Sequence, residues 1–187
     1  MFPLITTVEE FRATRNLLEL EKTRLESFGH AVPTSLEIGT MLEVPALVWE
    51  LDQLLPELDF LSVGTNDLMQ FFFAADRGNP QTSHRYDFLS LAPLRLLAQI
   101  QEVCASHKVP VSICGELGGR PLEAMALLGL GYEKFSLPSA SIGPVKRMIR
   151  SASQAKLQAA MSGLLSEPPV NMRDAVQQIA DAQGVKL

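Results

Sequence analysis

Five short apolar runs, each followed by a stretch of helical periodicity, constrain this chain more than any other feature. The runs are Met1 to Thr6, Leu36 to Leu42, Asp59 to Val63, Val109 to Ile113 and Lys134 to Leu137. Such alternation argues for a parallel sheet with helices packed outside it. Between the runs, Thr7-Val8-Glu9-Glu10 fits a helix start, with Thr7 as N-cap and Glu10 three positions on. That helix extends to about Phe28, with Phe11, Leu18 and Leu25 along one stripe. Pro45 can open a helix from Ala46 to Leu55. Further helices are expected from Leu68, from Pro93 to His107, and from Pro121 to Gly129 or Gly131. After the fifth run, helices span Ser141 to Arg150, Ser153 to Leu165 and, beyond Pro168-Pro169, Met172 to Ala182.

Two architectures carry this alternation, an open doubly wound sheet and a (β/α)8 barrel. No GxGxxG or Walker loop follows any of the runs, which counts against a nucleotide-binding open sheet. A complete barrel needs eight strands and typically about 250 residues. These 187 residues have room for five strands, and the chain starts directly in one, as though cut from something longer. The expected fold class is therefore α/β, a partial (β/α)8 TIM barrel of about five parallel strands with outer helices. Residues 1–150 would hold the β/α units and residues 151–187 the C-terminal helices.

Composition narrows the function classes. Net charge is -5 and no stretch is rich in Lys or Arg, so neither nucleic acid nor an acidic membrane surface is an expected partner. The apolar stretches are far too short to span a bilayer. With two cysteines, Cys104 and Cys114, and no basic region before an apolar leader, a reducing, cytoplasmic setting is expected.

The polar residues with chemistry fall at strand ends. Glu43 follows the second run, Asn66 and Asp67 the third, and Cys114 closes the fourth. In parallel β/α folds those positions share one face, where ligands bind. Taken singly, each has a plain alternative. Glu43 could be a carboxylate favoured by a helix dipole, and Asp67 a helix cap. Arg77 could be a solvated loop cation, and Cys114 a small buried hydrophobe. Together they describe a metal-assisted anion site. Two carboxylates with few other protein ligands suit Mg²⁺, which keeps waters and takes oxygens from substrate. Arg77 offers a fork of donors for phosphate or carboxylate. A thiol can serve as general acid. His30, His84 and His107 have no evident catalytic partner, while Cys104, Phe71 to Phe73 and the methionines suit packing.

Four segments carry a family resemblance: Ile38-Gly39-Thr40-Met41-Leu42-Glu43-Val44-Pro45, Val63-Gly64-Thr65-Asn66-Asp67-Leu68, Asp76-Arg77-Gly78-Asn79 and Cys114-Gly115-Glu116. In order and content they resemble the barrel of phosphoenolpyruvate-utilising enzymes, from Met1 to about Arg150. The nearest resemblance is to the phosphoenolpyruvate-protein phosphotransferases, enzyme I of the bacterial phosphotransferase system, including the nitrogen-regulatory form. That resemblance implies the fourth to eighth strands of the barrel. It implies Glu43 and Asp67 on Mg²⁺, and Asn66, the Asp67 backbone and Arg77 on the phosphoryl group. It implies Cys114 as the acid that protonates the enol carbon as pyruvate forms. It further implies a homodimer and an HPr-like phosphocarrier protein reached through a separate N-terminal domain. The phosphoryl acceptor would be a histidine of that domain, so this segment is expected to be inactive alone. One departure stands out: Gly118-Gly119-Arg120 follow Leu117 where the family type usually reads Ala-Gly-Asp. The paired glycines leave a pyruvate, phosphate dikinase or PEP synthase fragment as an alternative. A dimerisation module without catalysis is a third.

Overall fold

Four strands pair side by side in chain order, all parallel: β1 (Gly39–Leu42), β2 (Phe60–Gly64), β3 (Val111–Cys114) and β4 (Phe135–Ser136). The computed structural model describes residues 1–76, 78–82 and 87–187. The order never reverses, so with right-handed crossovers every connection lies on the same side of the sheet. A doubly wound sheet would contain a reversal. This winding is that of part of a β/α barrel, an α/β fold with a parallel sheet and surrounding helices.

Strand register divides the sheet into two chemically different faces. Leu42, Val63 and Ile113 lie abreast, as do Leu61 and Val111, and they meet the helices. Neighbours along each strand point the other way. Met41 stands beside Ser62, Ser62 beside Ser112, Gly64 beside Cys114, and Cys114 beside Ser136. One face is thus apolar core, and the opposite one carries small polar side chains and the thiol.

The helices are α1 (Val8–Ser27), α2 (Leu51–Leu54), α3 (Thr65–Phe72), α4 (Leu91–Ser106), α5 (Pro121–Gly129), α6 (Ser139–Ser151), α7 (Gln154–Ser166) and α8 (Met172–Gln183). Thr7 caps α1 as expected, its hydroxyl accepting from the Glu10 amide at 3.2 Å. The Glu10 carboxylate reaches back one residue further, to the amide and hydroxyl of Thr6. The expected stripe on α1 fades along its length: Phe11 is buried, whereas Leu25 is 44% exposed. Pro45 opens a 3-10 segment, Pro45–Glu50, before the short α2, in place of one continuous helix. Helix α3 begins at Thr65, earlier than expected, so Asn66 and Asp67 lie in its first turn.

The first apolar run is a strand for a single residue. Phe2 bridges to Thr40, its N–H donating to Gly39 O at 3.0 Å and its carbonyl accepting from Met41 N at 2.8 Å. Pro3 then has no N–H to continue the ladder. Leu4, at φ 53, turns the chain away. Five parallel segments are present, the first cut to one bridge.

The C-terminal helices pack on the β/α units. Helix α7 lies across α5, close enough at Gly129 that a Cβ there would stand 2.5 Å from Met161 Cγ. Helix α8 contacts both. Tyr132 is fully buried beneath α4, its hydroxyl donating to Leu97 O at 2.9 Å. Cys104 is also buried, and burial pushes its thiol up to about 12, as suits a packing residue. Among the described residues, no helix is long and apolar enough to cross a membrane.

Candidate functional site

Glu43 follows β1 and is 4% exposed. Its Oε1 accepts from Leu4 N at 2.8 Å, so the left-handed turn at Leu4 holds this carboxylate. Its Oε2 lies over the end of β2, where a Cβ on Gly64 would stand 2.9 Å away. Only a glycine at 64 leaves that space. Glu43 forms no ion pair with any described residue, and Oε2 accepts no hydrogen bond from one. An oxygen left without a donor can take a cation or further donors.

Strand β2 runs directly into α3, and its first turn is laced to the end of β3. Thr65 Oγ1 donates to Cys114 O at 2.8 Å, and Asn66 Oδ1 accepts from Glu116 N at 3.2 Å. The Asn66 Nδ2 donors have no partner among the described residues. Gly115, at φ +110, makes this possible: a Cβ there would sit 2.6 Å from Thr65 Oγ1 and 3.0 Å from Asn66 Oδ1. Both the backbone conformation and the space demand glycine. Asp67 lies in the same turn, half-buried, and has a partner of its own.

Cys114 ends β3 on the polar face of the sheet. Its Sγ accepts from Ser62 Oγ at 3.3 Å and donates to Val63 O at 3.4 Å, which points the half-buried thiol along the end of β2. Arg77 lies outside the described residues, as does His84. Beside Arg77, Asp76 Oδ1 accepts from Gly78 N at 2.8 Å and Thr82 Oγ1 donates to Asp76 O at 3.0 Å. His107 rests against Asp52 at 3.1 Å.

A cavity of about 550 Å³ opens next to Thr65 and Asn66. Of the described sequence-predicted residues, Asn66 lines it; Glu43, Asp67 and Cys114 do not. Its other walls hold residues that the sequence did not single out as functional, including Asp87, Arg120 and Arg173. Arg173, on α8, forks onto Asp87 with Nε–Oδ2 2.5 Å and Nη2–Oδ1 2.6 Å. Nη2 also donates to Glu123 Oε1 at 2.9 Å, and Glu123 is buried at the start of α5. The hydrogen bonds from Arg173 hold Asp87 below the usual carboxylate range, and those same bonds raise Arg173. These partners are 86 and 50 residues apart, and no local pattern announces them.

The pattern of the family described as "PEP-utilising enzyme, PEP-binding domain" matches residues 1–154. The chain belongs to this family. Its relatives include the phosphoenolpyruvate-protein phosphotransferase of Bacillus subtilis (strain 168), 38% identical over 166 residues, 89% of this chain and 29% of that protein. That of Listeria monocytogenes is 40% identical over 159 residues, 84% of this chain and 27% of that protein. That of Lactococcus lactis is 34% identical over 167 residues, 89% of this chain and 29% of the relative. The chain therefore spans less than a third of these proteins' length.

Within this PEP-binding domain the matched region ends at the first residue of α7, before α8. Arg173 is outside it. One donor suits a hard divalent ion: Glu43 is a buried carboxylate whose Oε2 accepts no hydrogen bond from a described residue. Mg²⁺ is satisfied by one or two carboxylates, with water and substrate oxygens completing the shell. The unusual glycines have a packing reason. A Cβ on Gly119 would stand 2.7 Å from Ser141 Oγ, and one on Gly118 would stand 3.3 Å from Phe135. They seat the turn before α5 against α6 and β4, and do not by themselves favour the dikinase alternative.

Proposed function

We propose that this chain is the phosphoenolpyruvate-binding part of a phosphoenolpyruvate-protein phosphotransferase. The observation that carries the reading is the lacing of Cys114-Gly115-Glu116 onto Thr65-Asn66. It joins a thiol and an amide from two strand ends, next to the buried carboxylate of Glu43. Glu43 and Asp67 would hold Mg²⁺, which when bound supplies charge neutralisation at the phosphoryl oxygens. Asn66 Nδ2, the Asp67 backbone and Arg77 hold the phosphoryl group and keep it aligned for an incoming acceptor.

Phosphoryl transfer to a histidine breaks the bond between phosphorus and the enol oxygen, leaving the enolate of pyruvate. Cys114 Sγ–H gives its proton to the enol carbon, the thiolate recovers a proton from water, and pyruvate leaves. The acceptor histidine stands on another domain, which in turn serves an HPr-like phosphocarrier protein. The enzyme is cytoplasmic and homodimeric in this reading, and residues 151–187 back the β/α units as C-terminal helices.

Calorimetric titration of the chain with phosphoenolpyruvate tests the binding step. Saturable heat that requires Mg²⁺ is expected, and Glu43→Gln weakens it at least about tenfold. Equal affinity with and without Mg²⁺, or an unaltered Glu43→Gln, contradicts the assignment.

A further inference from the structure

The cavity beside Asn66 is lined in part by an arginine that the family match does not reach. Arg173 holds three oxygens at once: both of Asp87 and one of the buried Glu123. Asp87 is itself the hub of a turn, since its Oδ1 accepts from Leu89 N at 2.9 Å and its carbonyl accepts from Ser90 Oγ at 2.7 Å. That turn presents Phe88 to the cavity and leads into α4. Glu123, 5% exposed, ties the same guanidinium to α5, whose preceding turn supplies Leu117 and Arg120. One planar fork therefore fixes two cavity walls against each other. A lysine, with a point charge and no fork, could not hold both oxygens of Asp87 in this geometry.

We propose that Arg173 is a positioning residue of the phosphoenolpyruvate site, and that α8 is a working part of that site. Through Asp87 and Glu123 it sets the spacing between the Asp87-Phe88 wall and the α5 wall around Asn66. The proposal rests on the function assigned above. A guanidinium already occupied by two carboxylates is poorly suited to take a substrate anion, so its effect on ligand passes through the walls it holds.

The test uses the whole chain with Arg173→Met, Asp87→Asn, their double variant and Arg173→Lys. Phosphoenolpyruvate affinity with Mg²⁺ is read by calorimetry, and amide exchange is read in the ligand-free proteins. Arg173→Met and Asp87→Asn are each expected to weaken binding about tenfold, as a displaced wall misplaces the ligand. The double variant is expected to be no weaker than either single one, since both remove one fork. Arg173→Lys falls between wild type and Arg173→Met. Exchange at Leu89 accelerates about tenfold in the Met variant while β1 and β2 keep their protection. Unchanged affinity, additive losses, or unchanged exchange at Leu89 overturns the proposal. Wild-type chain that binds no phosphoenolpyruvate overturns the function on which the proposal rests. The exchange measurement then still decides separately whether the clamp holds the wall.

Discussion

At φ +110, Gly115 turns the chain from the end of β3 back over Thr65 and Asn66. Alanine there would carry both the left-handed strain and a Cβ 2.6 Å from Thr65 Oγ1. Gly115→Ala is expected to cost about 1–3 kcal/mol, read from the urea midpoint. An unchanged midpoint would mean that the turn relaxes freely and that the site is not pre-arranged. The placement of Glu43, Asn66 and Cys114 at strand ends was legible in the sequence, because each stands at the end of an apolar run and strand ends of a parallel sheet share a face. The groups that orient them were not. Ser62 and Thr65 act through contacts 52 and 49 residues away in sequence, which neither the apolar run around Ser62 nor the segment holding Thr65 discloses. Leu4 offers its amide to Glu43 only because its φ is 53, which the apolar pattern of Met1 to Thr6 conceals.

Helices α5 and α7 meet at a contact that glycine alone allows. Gly129→Ala would drive a Cβ to 2.5 Å from Met161 Cγ and 3.2 Å from Leu157 O. A loss of about 1–3 kcal/mol is expected from such overpacking, measured by thermal melting. Adding Met161→Ala should return part of it, because the side-chain clash is removed while the backbone one stays. If the two changes are simply additive, the close approach is not what limits the site. Helix α8 makes a second prediction, with its sign set by Asp87. That carboxyl is held below its ordinary range by Arg173, so the clamp contributes stability above the unfolded value of about 4 and loses it as pH falls through the folded value. The melting-temperature gap between wild type and Asp87→Asn should therefore narrow from pH 6 towards pH 3. A gap independent of pH would show that Asp87 acts without its charge. The periodicity located most helices to within a few residues. It misplaced the start of α3, since β2 runs into that helix with no loop between them, and it joined a 3-10 segment and the short α2 into one helix behind Pro45.

Across the whole molecule, the unreversed strand order makes the chain an arc of a barrel with one polar face. The alternation of runs foretold a parallel sheet with outer helices but not its winding, and the first strand fell short of expectation because Pro3 and Leu4 end the ladder after Phe2. Under the proposed function, incubation with labelled phosphoenolpyruvate and Mg²⁺ leaves the chain unlabelled after denaturation, because its acceptor histidine belongs to another domain. Stable labelling of the chain would contradict that division of labour. Trp49 is 81% exposed, so its emission reports solvent more than the site, and heat is the better signal. The most direct measurement is calorimetric titration of phosphoenolpyruvate into the chain with and without Mg²⁺, repeated with Glu43→Gln. Saturable heat that depends on both the metal and the Glu43 carboxylate is the predicted result. No heat, or heat indifferent to Mg²⁺ and to Glu43, would contradict the claim that these strand ends form a metal-assisted phosphoenolpyruvate site.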